Sequence, residues 1–415
     1  MARRAAYITR LAESDSASTL VLDCGNTVGS DSRLERIKGQ YLFDAYGMMG
    51  MDCFNLGGSD LLLGQNWLLA QGERTGVPIV SANVYYADTG ERFLAPYIIK
   101  RIGGKRFLGF EWGGLKVGIF GVLMMEQELE PLPWNRDGGE KRLIIKDAAT
   151  IGREIVEELE PKTDLIVCLA QTGWLQARAI ARSVSGIDAM IVGGGASVKT
   201  KPYMVNGIPL VMPGQQGKYL GVLEVYLDGN RKVEDIRGRV KALDNTVSED
   251  PDMADLLVRY NKELQDRGGE LAPGTSDLED VRYVGVEECR SCHAVEYEDW
   301  KSTSHAHTYN TLVGENQEKN PNCLKCHTTG YGFFNGFHSV EKTPERINVQ
   351  CEVCHGYGID HVQFEREGHV GECDRDAKLS YLLAPAEDRC IACHDSEQDP
   401  TFDYEKDVKL VDHRP

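Results

Sequence analysis

Short apolar runs and amphipathic stretches alternate along the first 245 residues. Six runs have the length and continuous hydrophobicity of buried strands: STLVLDC, DCFNLGG, VPIVSANV, LKVGIFGVL, DLIVCLAQ and DAMIVGG. Helical periodicity occurs at about 33–48, 60–73, 147–160 and 174–184. Three later segments, GIPLVMPGQ, YLGVLEVYLDG and RKVEDIRGRVKAL, alternate as antiparallel strands do. This order predicts a layered α/β domain, with two sheets packed together and helices outside.

The pattern changes after residue 245. Residues 246–282 contain one amphipathic helical pattern, at about 251–266, followed by Gly-Gly and Pro-Gly breaks. Residues 283–415 are rich in glycine and charge and poor in aliphatic runs, so few long helices are expected there. The chain therefore divides into a domain (1–245), a helical connector (246–282) and a second domain (283–415).

Charge narrows the range of partners. The 415-residue chain carries a net charge of −18, and from residue 281 onward it holds 25 acidic and 14 basic side chains. Such a surface disfavours binding to nucleic acid or anionic lipid and suits a protein partner with a basic docking face, although it also serves solubility alone. No apolar run approaches the roughly 18 residues of a membrane helix.

Four Cys-x-x-Cys-His units lie within the second domain. They are CRSCH (289–293), CLKCH (323–327), CEVCH (351–355) and CIACH (390–394). Zinc sites and redox dithiols use the cysteine pair but do not need a histidine directly after it, whereas covalent haem attachment needs all three side chains. The units therefore predict four c-type haems. The attachment cysteines are Cys289, Cys292, Cys323, Cys326, Cys351, Cys354, Cys390 and Cys393, and the proximal iron ligands are His293, His327, His355 and His394.

Haem attachment of this kind takes place outside the cytoplasm, so we expect a periplasmic or extracellular protein. The first residues, MARRAAYITRLAESDS, lack the apolar core of a signal peptide. The expectation is that the signal sequence is missing from this chain. Of the remaining cysteines, Cys24, Cys53 and Cys168 lie in apolar contexts that predict buried thiols, with a Cys24–Cys53 bridge as an alternative, and Cys373 is the fourth.

The first domain resembles a known family. The segments ARRAAYITRL, LVLDCGN, GMDCFNLGGSD, GIDAMIVGGGAS and VNGIPLVMPGQQGKYLGVLEVYLD are similar, in order, to the calcineurin-like metallophosphoesterase domain of the 5′-nucleotidase family. The resemblance covers about residues 2–245. It implies a four-layer α/β/β/α sandwich with a dimetal site at the strand ends.

The metal ligands of that family are absent from the matching positions. Its Gly-Asp motif falls on Gly25-Asn26, its Gly-Asn-His-Glu motif on residues 57–60 (GGSD), its strand-end histidine on Gln171 and its Gly-His-x-His motif on residues 194–197 (GGAS). An upstream Asp-x-His motif would precede Met1. Residues 1–280 contain no histidine, and all ten histidines lie between 293 and 413. A dimetal hydrolase needs imidazole and carboxylate ligands, so the sequence predicts a retained scaffold without phosphoesterase activity.

Other features of this domain also have structural explanations. A hydrolase with different ligands would have to use Asp23, Asp60 and Asp188, which are better explained as strand-end or capping carboxylates. The run Gly193-Gly194-Gly195 lacks the Lys-Ser/Thr of a phosphate-binding loop and indicates a tight turn. The domain is then available for docking a partner, forming a subunit interface or covering the haem domain.

The second domain resembles the tetrahaem cytochrome family typified by an electron carrier of ammonia-oxidising bacteria. The similarity spans about 283–413 and includes YVGVEECRSCH, the W-x-x-x-S-H-A-H segment, NPNCLKCHTTGYGFFNGF, TPERINVQCEVCHGYGIDH and RCIACHDSEQDPTFDYEKDVKLVDH. It implies a mostly α/loop domain whose haems supply much of the core. It also implies bis-histidine haems with crossed distal ligands, and one five-coordinate haem at the second unit.

Six histidines remain for the distal positions. By position in the family, His361 would cap the first haem, while His305 and His413 would serve the third and fourth. His307 either replaces His305 or hydrogen-bonds to a haem propionate, and His338 and His369 are expected to be exposed.

The leading functional hypothesis is therefore electron transfer through four haems. The second is a redox enzyme acting on nitric oxide or hydroxylamine at an open haem on His327. The third is a conductive subunit of a homo-oligomer, filament or larger redox complex. Spacing alone does not separate them, because six spare histidines exceed the number of distal positions.

Overall fold

The computed structural model describes residues 1–14, 19–30, 32–107, 110–124, 141–195, 197–228, 233–271, 282–368, 387–395, 398–399 and 401–413. The chain forms two compact units, Met1–Leu257 and Val258–Pro415. The boundary falls inside a single helix, Pro251–Leu271, which lies in the predicted connector. This helix continues past the expected end at about residue 266, through the Gly-Gly pair.

The first unit alternates strands and helices. Its strands are β1 (Leu22–Asp23), β2 (Cys53–Asn55), β3 (Ile79–Val80), β4 (Val84–Tyr86), β5 (Tyr97–Phe107), β6 (Phe110–Leu123), β7 (Leu143–Ile145), β8 (Leu165–Gln171), β9 (Ala189–Gly193), β10 (Lys199–Val205), β11 (Ile208–Met212), β12 (Tyr219–Leu227) and β13 (Val233–Ala242). Its helices are α1 (Ala2–Ser14), α2 (Arg33–Met48), α3 (Gln65–Thr75), α4 (Ala148–Leu159), α5 (Trp174–Ser183) and the start of α6 (Pro251–Leu271), with a 3₁₀ turn at Ser59–Leu63. The six apolar runs all contain strands, as predicted.

Helix ends follow from local chemistry. The hydroxyl of Ser32 accepts the N–H of Glu35 at the start of α2, and the carboxylate of Asp147 accepts the N–H of Thr150 at the start of α4. Both satisfy backbone donors that a first helical turn leaves free. Helix α3 ends where Gly76 adopts a left-handed conformation (φ 71°), which glycine tolerates without steric cost.

Two sheets organise the unit. The larger has the strand order β10-β11-β9-β8-β6-β5, with parallel pairing from β11 through β6 and antiparallel pairing at both edges. The smaller is the parallel sheet β1-β2-β3. Strands β12 and β13 form an antiparallel pair, as their alternating pattern predicted, and β4 pairs with β7. Parallel pairing brings the carboxyl ends of β6, β8 and β9 to one edge of the larger sheet.

Alternation along the central strands builds a core on both faces of the larger sheet. Phe120 and Cys168 belong to an apolar cluster with residues of α4 and α5. Their chain neighbours Ile119 and Leu169 belong to a second cluster that includes Cys53 of the smaller sheet. Successive side chains of a strand point to opposite faces, which explains why these strands read as continuous apolar runs.

The thiols of the first unit are free. Cys53 and Cys168 are buried, and the Sγ of Cys24 donates to the carbonyl of Ile191 at 3.3 Å. The alternative Cys24–Cys53 bridge is therefore not formed. Burial raises the pKa of Cys53 to about 12, so this thiol stays protonated. Cys373 lies outside the described residues.

The second unit is built from short helices. After the shared helix α6 these are α7 (Val286–Arg290), α8 (Ala294–Ser302), α9 (Thr308–Gly314), α10 (Pro321–His327), α11 (Cys351–His355), α12 (Ile359–Arg366), α13 (Glu387–Ile391) and α14 (Tyr404–Asp407). The absence of long helices after residue 282 agrees with the sequence prediction for the described part of the unit. A small apolar cluster of Tyr309, Leu312, Leu324 and Phe337 packs between α9 and α10. No helix described in either unit combines the length and apolar composition needed to cross a bilayer.

Asn83 provides a test of the first unit's packing. Its side chain is fully buried, donates to the carbonyls of Leu123 (2.7 Å) and Lys146 (2.8 Å), and accepts the N–H of Leu123 (2.9 Å). Asn83→Ala would leave these backbone groups unpaired, and we expect it to lower the free energy of unfolding by about 2–4 kcal/mol. Urea unfolding followed by circular dichroism measures this change.

The matched control is Asn245→Ala, because Asn245 is exposed. This variant should stay within about 0.5 kcal/mol of the original chain. Equal stability of the two variants would contradict the role assigned to Asn83.

Candidate haem centre

Each Cys-x-x-Cys-His unit lies at a helix. Cys289 lies in α7 and His293 is the N-cap of α8, the second and third units lie within α10 and α11, and Cys390 lies in α13. In the first and fourth units the histidine N–H bonds to the carbonyl of the first cysteine, at 2.8 and 2.9 Å. This helical turn brings the two thiols and the imidazole of a unit close together, as the attachment chemistry requires.

Three of the four proximal histidines face a second imidazole. The ring centroids are 5.9 Å apart for His293 and His361, 6.0 Å for His305 and His394, and 5.6 Å for His355 and His413. Two imidazoles on opposite sides of one metal, with metal–nitrogen distances of about 2 Å, have centroids roughly 6 Å apart. All three separations thus fit a pair of axial ligands.

Each of these pairs joins a proximal histidine to an imidazole from outside its own Cys-x-x-Cys-His unit, and His361 faces the first-unit His293. The two other partners are exchanged relative to the order expected from the sequence. His305 faces the fourth-unit His394, and His413 faces the third-unit His355. The reason is spatial, since the segment after α8 and the C-terminal segment reach units that sequence distance does not identify.

Two of the facing imidazoles, His305 and His361, have a lowered pKa, which favours the neutral ring. Burial and the neighbouring His394 lower the pKa of His305, and burial is the first cause of the lowered pKa of His361. A neutral imidazole has a lone pair for a metal, whereas a protonated ring does not. The buried Nδ1 of His361 has no hydrogen-bond partner within the described part of the chain, which leaves a ring nitrogen free for coordination.

The second Cys-x-x-Cys-His unit (323–327) differs from the other three. The Nδ1 of His327 lies 2.8 Å from the carbonyl oxygen of Thr308, a contact that orients the ring and leaves Nε2 free. Among the described residues, no imidazole ring faces His327. This arrangement fits a proximal ligand whose opposite side has no protein ligand in that part of the chain.

The remaining histidines lie elsewhere. His307 is exposed, and no described imidazole forms a ring contact with it. The Nε2 of His338 lies 3.0 Å from the carbonyl oxygen of Phe334, so this nitrogen is already engaged. His369 lies outside the described residues.

Contacts between thiols show which units are neighbours. The Cys289 and Cys351 thiols hydrogen-bond to each other, an interaction that together with burial raises the pKa of Cys289. A hydrogen bond from Cys393 lowers the pKa of Cys326 to about 7. After burial, the charge of Cys390 is the next cause of the raised pKa of Cys354. The four Cys-x-x-Cys-His units therefore follow one another in space in the order first, third, fourth and second.

The fourth unit has an acidic partner that sequence reasoning missed. The Nδ1 of His394 donates to the Oδ2 of Asp399 at 2.9 Å, and this bond is the first cause of the lowered pKa of Asp399. The ring of Phe402 stacks on His394, with centroids 4.7 Å apart and planes inclined by 17°. Asp395, Glu397 and Asp399 all follow the unit closely, so spacing could not identify the one that bonds.

In the N-terminal compact unit (Met1–Leu257), the carboxylates at the strand ends accept hydrogen bonds from backbone N–H groups. Asp60 is 1% exposed and accepts the N–H groups of Asn26, Thr27 and Gly57 at 2.6–2.8 Å. Burial raises its pKa to about 6, against the effect of these bonds. The Oδ1 of Asn26 accepts from both the N–H and the hydroxyl of Ser59, at 3.0 and 3.1 Å.

Asp23 and Asp188 are engaged in the same way. Asp23 accepts the N–H of Gly25 at 2.9 Å, and Asp188 accepts the N–H of Ile166 at 2.7 Å. Gln171 is buried against Gly193, with its Oε1 unpaired. No cluster of three or more His, Cys, Asp or Glu side chains suited to a metal ion occurs within the described residues.

Comparison with known proteins separates the same two regions. The profile of the family "Cytochrome c554 and c-prime" matches residues 288–356, which contain the first three units. Cytochrome c-554 of Nitrosomonas europaea is 29% identical over 147 residues, which cover 30% of this chain and 62% of that protein.

The other region is similar to phosphoesterases. The trifunctional nucleotide phosphoesterase YfkN of Bacillus subtilis is 27% identical over 288 residues, covering 60% of this chain and 19% of that protein. The crystal structure of the calcineurin-like phosphoesterase YfkN superposes with a TM-score of 0.52 at 24% identity, over 63% of this chain and 88% of that chain. The chain thus spans about a fifth of the first relative and about three fifths of the cytochrome.

Asp399 allows a test of the fourth unit. A carboxylate that accepts from a metal-bound imidazole makes that imidazole a stronger donor and favours the oxidised metal. We expect Asp399→Asn to raise the reduction potential of one haem by ~60 mV, a tenfold change in its reduction equilibrium. A redox titration of the haem-loaded protein, followed by absorbance and electron paramagnetic resonance, measures the shift.

Glu405→Gln is the matched control, because it removes the same charge from an exposed residue nearby. A general effect of charge would move both variants equally. An equal shift would therefore argue against the hydrogen bond to His394.

Proposed function

Because the chain joins a 5′-nucleotidase-type phosphoesterase domain to a cytochrome c554-like region, we propose that it is an extracytoplasmic electron-transfer protein with four covalently bound c-type haems. Haem iron supplies one-electron redox chemistry when bound. The protein supplies eight thiols for attachment, four proximal imidazoles, and distal imidazoles from other parts of the chain.

The observation that carries this proposal is the separation of the three imidazole pairs. Their ring centroids are 5.6–6.0 Å apart, a separation that fits two axial ligands of one iron. A pair of axial histidines leaves no coordination position for a substrate, so these three centres suit electron transfer rather than catalysis. The spatial order of the units supports a path that runs from the first through the third and fourth to the second.

The phosphoesterase-like domain acts in this proposal as a scaffold or docking surface without hydrolytic activity. Asn26, Ser59 and Gln171 stand where the family has ligands, and Asp60 is committed to three backbone donors. The apolar clusters on both faces of the larger sheet support a four-layer α/β/β/α sandwich. Excess acidic side chains after residue 281 would steer a redox partner with a basic face.

A second function is supported by one observation at the second Cys-x-x-Cys-His unit (323–327). His327 has its Nδ1 engaged by Thr308 and faces no other described imidazole. An iron held by His327 alone would keep a position open for a small molecule. Nitric oxide and hydroxylamine are the ligands proposed, which would make this centre a site of redox catalysis.

Spin state tests both functions. In the oxidised protein we expect low-spin signals from three haems and a high-spin signal from one, and we expect the high-spin haem to respond to nitric oxide. Low-temperature electron paramagnetic resonance with and without nitric oxide measures this. Four low-spin haems with no response would exclude catalysis at His327, and fewer than four haems per chain by pyridine haemochrome assay would contradict the tetrahaem proposal.

Two variants assign the signals. His361→Ala should convert one further haem to high spin, because it removes the imidazole that faces His293. His338→Ala should leave the spectrum unchanged, because the Nε2 of His338 is engaged by Phe334. Identical spectra for the two variants would rule out His361 as a ligand.

Hydrolytic activity is tested separately. With added Mn²⁺ or Zn²⁺ we expect no phosphate release from 5′-nucleotides, because imidazole and carboxylate ligands are missing at the matching positions. YfkN assayed in parallel provides the positive control. Metal-dependent phosphate release, or stoichiometric manganese or zinc in the purified protein, would contradict the proposed scaffold role.

A further inference from the structure

An aromatic and cationic patch lies beside the strand ends of the larger sheet. Trp174 begins α5, directly after the loop that follows β8, and its ring contacts the ring of Tyr203 on β10 (centroids 5.5 Å apart, planes at 69°). The guanidinium of Arg178 lies 5.3 Å above Tyr203, and the ammonium of Lys199 lies 5.1 Å above Trp174. Two aromatic rings thus hold two cations at one surface.

An apolar side chain is exposed on the same helix. Leu175 is 70% exposed and lies three residues before Arg178 on α5, so the two side chains share one face of the helix. Protein interfaces are enriched in Trp, Tyr, Met and Arg, whereas ordinary surface is not. We use "the β10–α5 patch" for Trp174, Leu175, Arg178, Lys199, Lys201 and Tyr203.

The cations of the β10–α5 patch lack acidic partners. Within the described part of the chain, no carboxylate forms an ion pair with Arg178, Lys199 or Lys201, and the buried Nε of Arg178 has no hydrogen-bond partner. The neighbouring strand β13 differs, because its Arg237 and Arg239 pair with Asp235 and Glu224. The patch therefore presents uncompensated positive charge on a chain whose net charge is −18.

The C-terminal compact unit (Val258–Pro415) offers a surface whose charge is complementary to that of the β10–α5 patch. From residue 281 onward acidic side chains outnumber basic ones by 25 to 14. Helix α8 combines an exposed apolar side chain with acidic ones, since Val295 is 72% exposed and the exposed Glu298 and Asp299 follow one turn later. Glu298 lies 3.9 Å from the ammonium of the exposed Lys301. An apolar contact surrounded by opposite charges gives both affinity and orientation.

We propose that the β10–α5 patch binds the acidic C-terminal compact unit (Val258–Pro415) of another copy of this chain. The contact joins different surfaces of the two copies, so it is a head-to-tail contact that builds a ring or an open row. It extends the proposed electron-transfer function, because repetition would bring successive haem-bearing units into one assembly. The contact itself depends on side chains and charge, so it can be tested without measuring electron transfer.

Self-association of the full-length, haem-loaded protein is the first test. Sedimentation velocity over a range of protein concentrations should show concentration-dependent oligomers that dissociate as salt is raised from ~50 to ~500 mM. Lys199→Glu/Lys201→Glu should weaken the association about tenfold or more, because it places like charges at the contact. A chain that is monomeric at every concentration and salt would overturn the proposal.

The matched control reverses two charges elsewhere. Arg36→Glu/Lys116→Glu changes the net charge equally, at exposed residues of α2 and of β6. Lys116 precedes the residue of β6 that pairs with the start of β8, whereas Trp174 follows the carboxyl end of β8. This variant should associate as the original chain does. Equal weakening in both variants would show that net charge rather than the β10–α5 patch decides the association.

Cross-linking identifies the occupant. A photoreactive amino acid in place of Leu175, in a mixture of isotopically light and heavy chains, should give peptides cross-linked to residues 258–413 of the other copy. Cross-links only within one chain, or only between the first units of two copies, would overturn the proposal. Normal spin states in the same preparation would show that the haem centres are intact, so a negative result would concern the contact alone.

Discussion

Two imidazoles can share one iron only if the chain holds their rings about 6 Å apart, and this separation constrains the path of the C-terminal compact unit (Val258–Pro415). The partners are distant in sequence, with 68 residues from His293 to His361 and 89 from His305 to His394. Short helices and loops must therefore be fixed without the aliphatic core that larger domains use. The described apolar cluster of this unit is small, so other interactions have to supply the order.

Buried polar groups supply that order. Glu352 lies inside the third Cys-x-x-Cys-His unit and accepts the N–H groups of Val284, Gly285 and Gly358 at 2.8–3.0 Å. Arg346 donates to the carbonyls of Tyr283 and Asn335. A buried charge is tolerated when such partners satisfy it. Here the carboxylate of Glu352 fixes the segment that leads into the first Cys-x-x-Cys-His unit. The first and third Cys-x-x-Cys-His units are thereby held as neighbours.

Sequence patterns predicted the six apolar strands and the helical segments that contain α2, α3, α4 and α5, because these depend on local periodicity. They did not predict helix α1 or strands β5, β7 and β10. The exchange of His305 and His413 shows where such reasoning ends. Both histidines have the right chemistry, and only the path of the chain decides which unit each one faces. Asp399 is a similar case, since several acidic residues follow the fourth unit and only the loop geometry selects one.

The strand-end loops of the N-terminal compact unit (Met1–Leu257) depend on one buried carboxylate. Asp60 stands at a position of the family's metal-binding motif, yet its oxygens accept three backbone N–H groups that hold the loops after β1 and β2. Removing it would leave buried donors unpaired, so it is needed for folding whether or not metals bind. Asn26 and Ser59 carry no such charge and bond to each other across the same loops. The architecture of these loops thus rests on hydrogen bonds of Asp60, Asn26 and Ser59, and it does not require the histidines of the family's motifs.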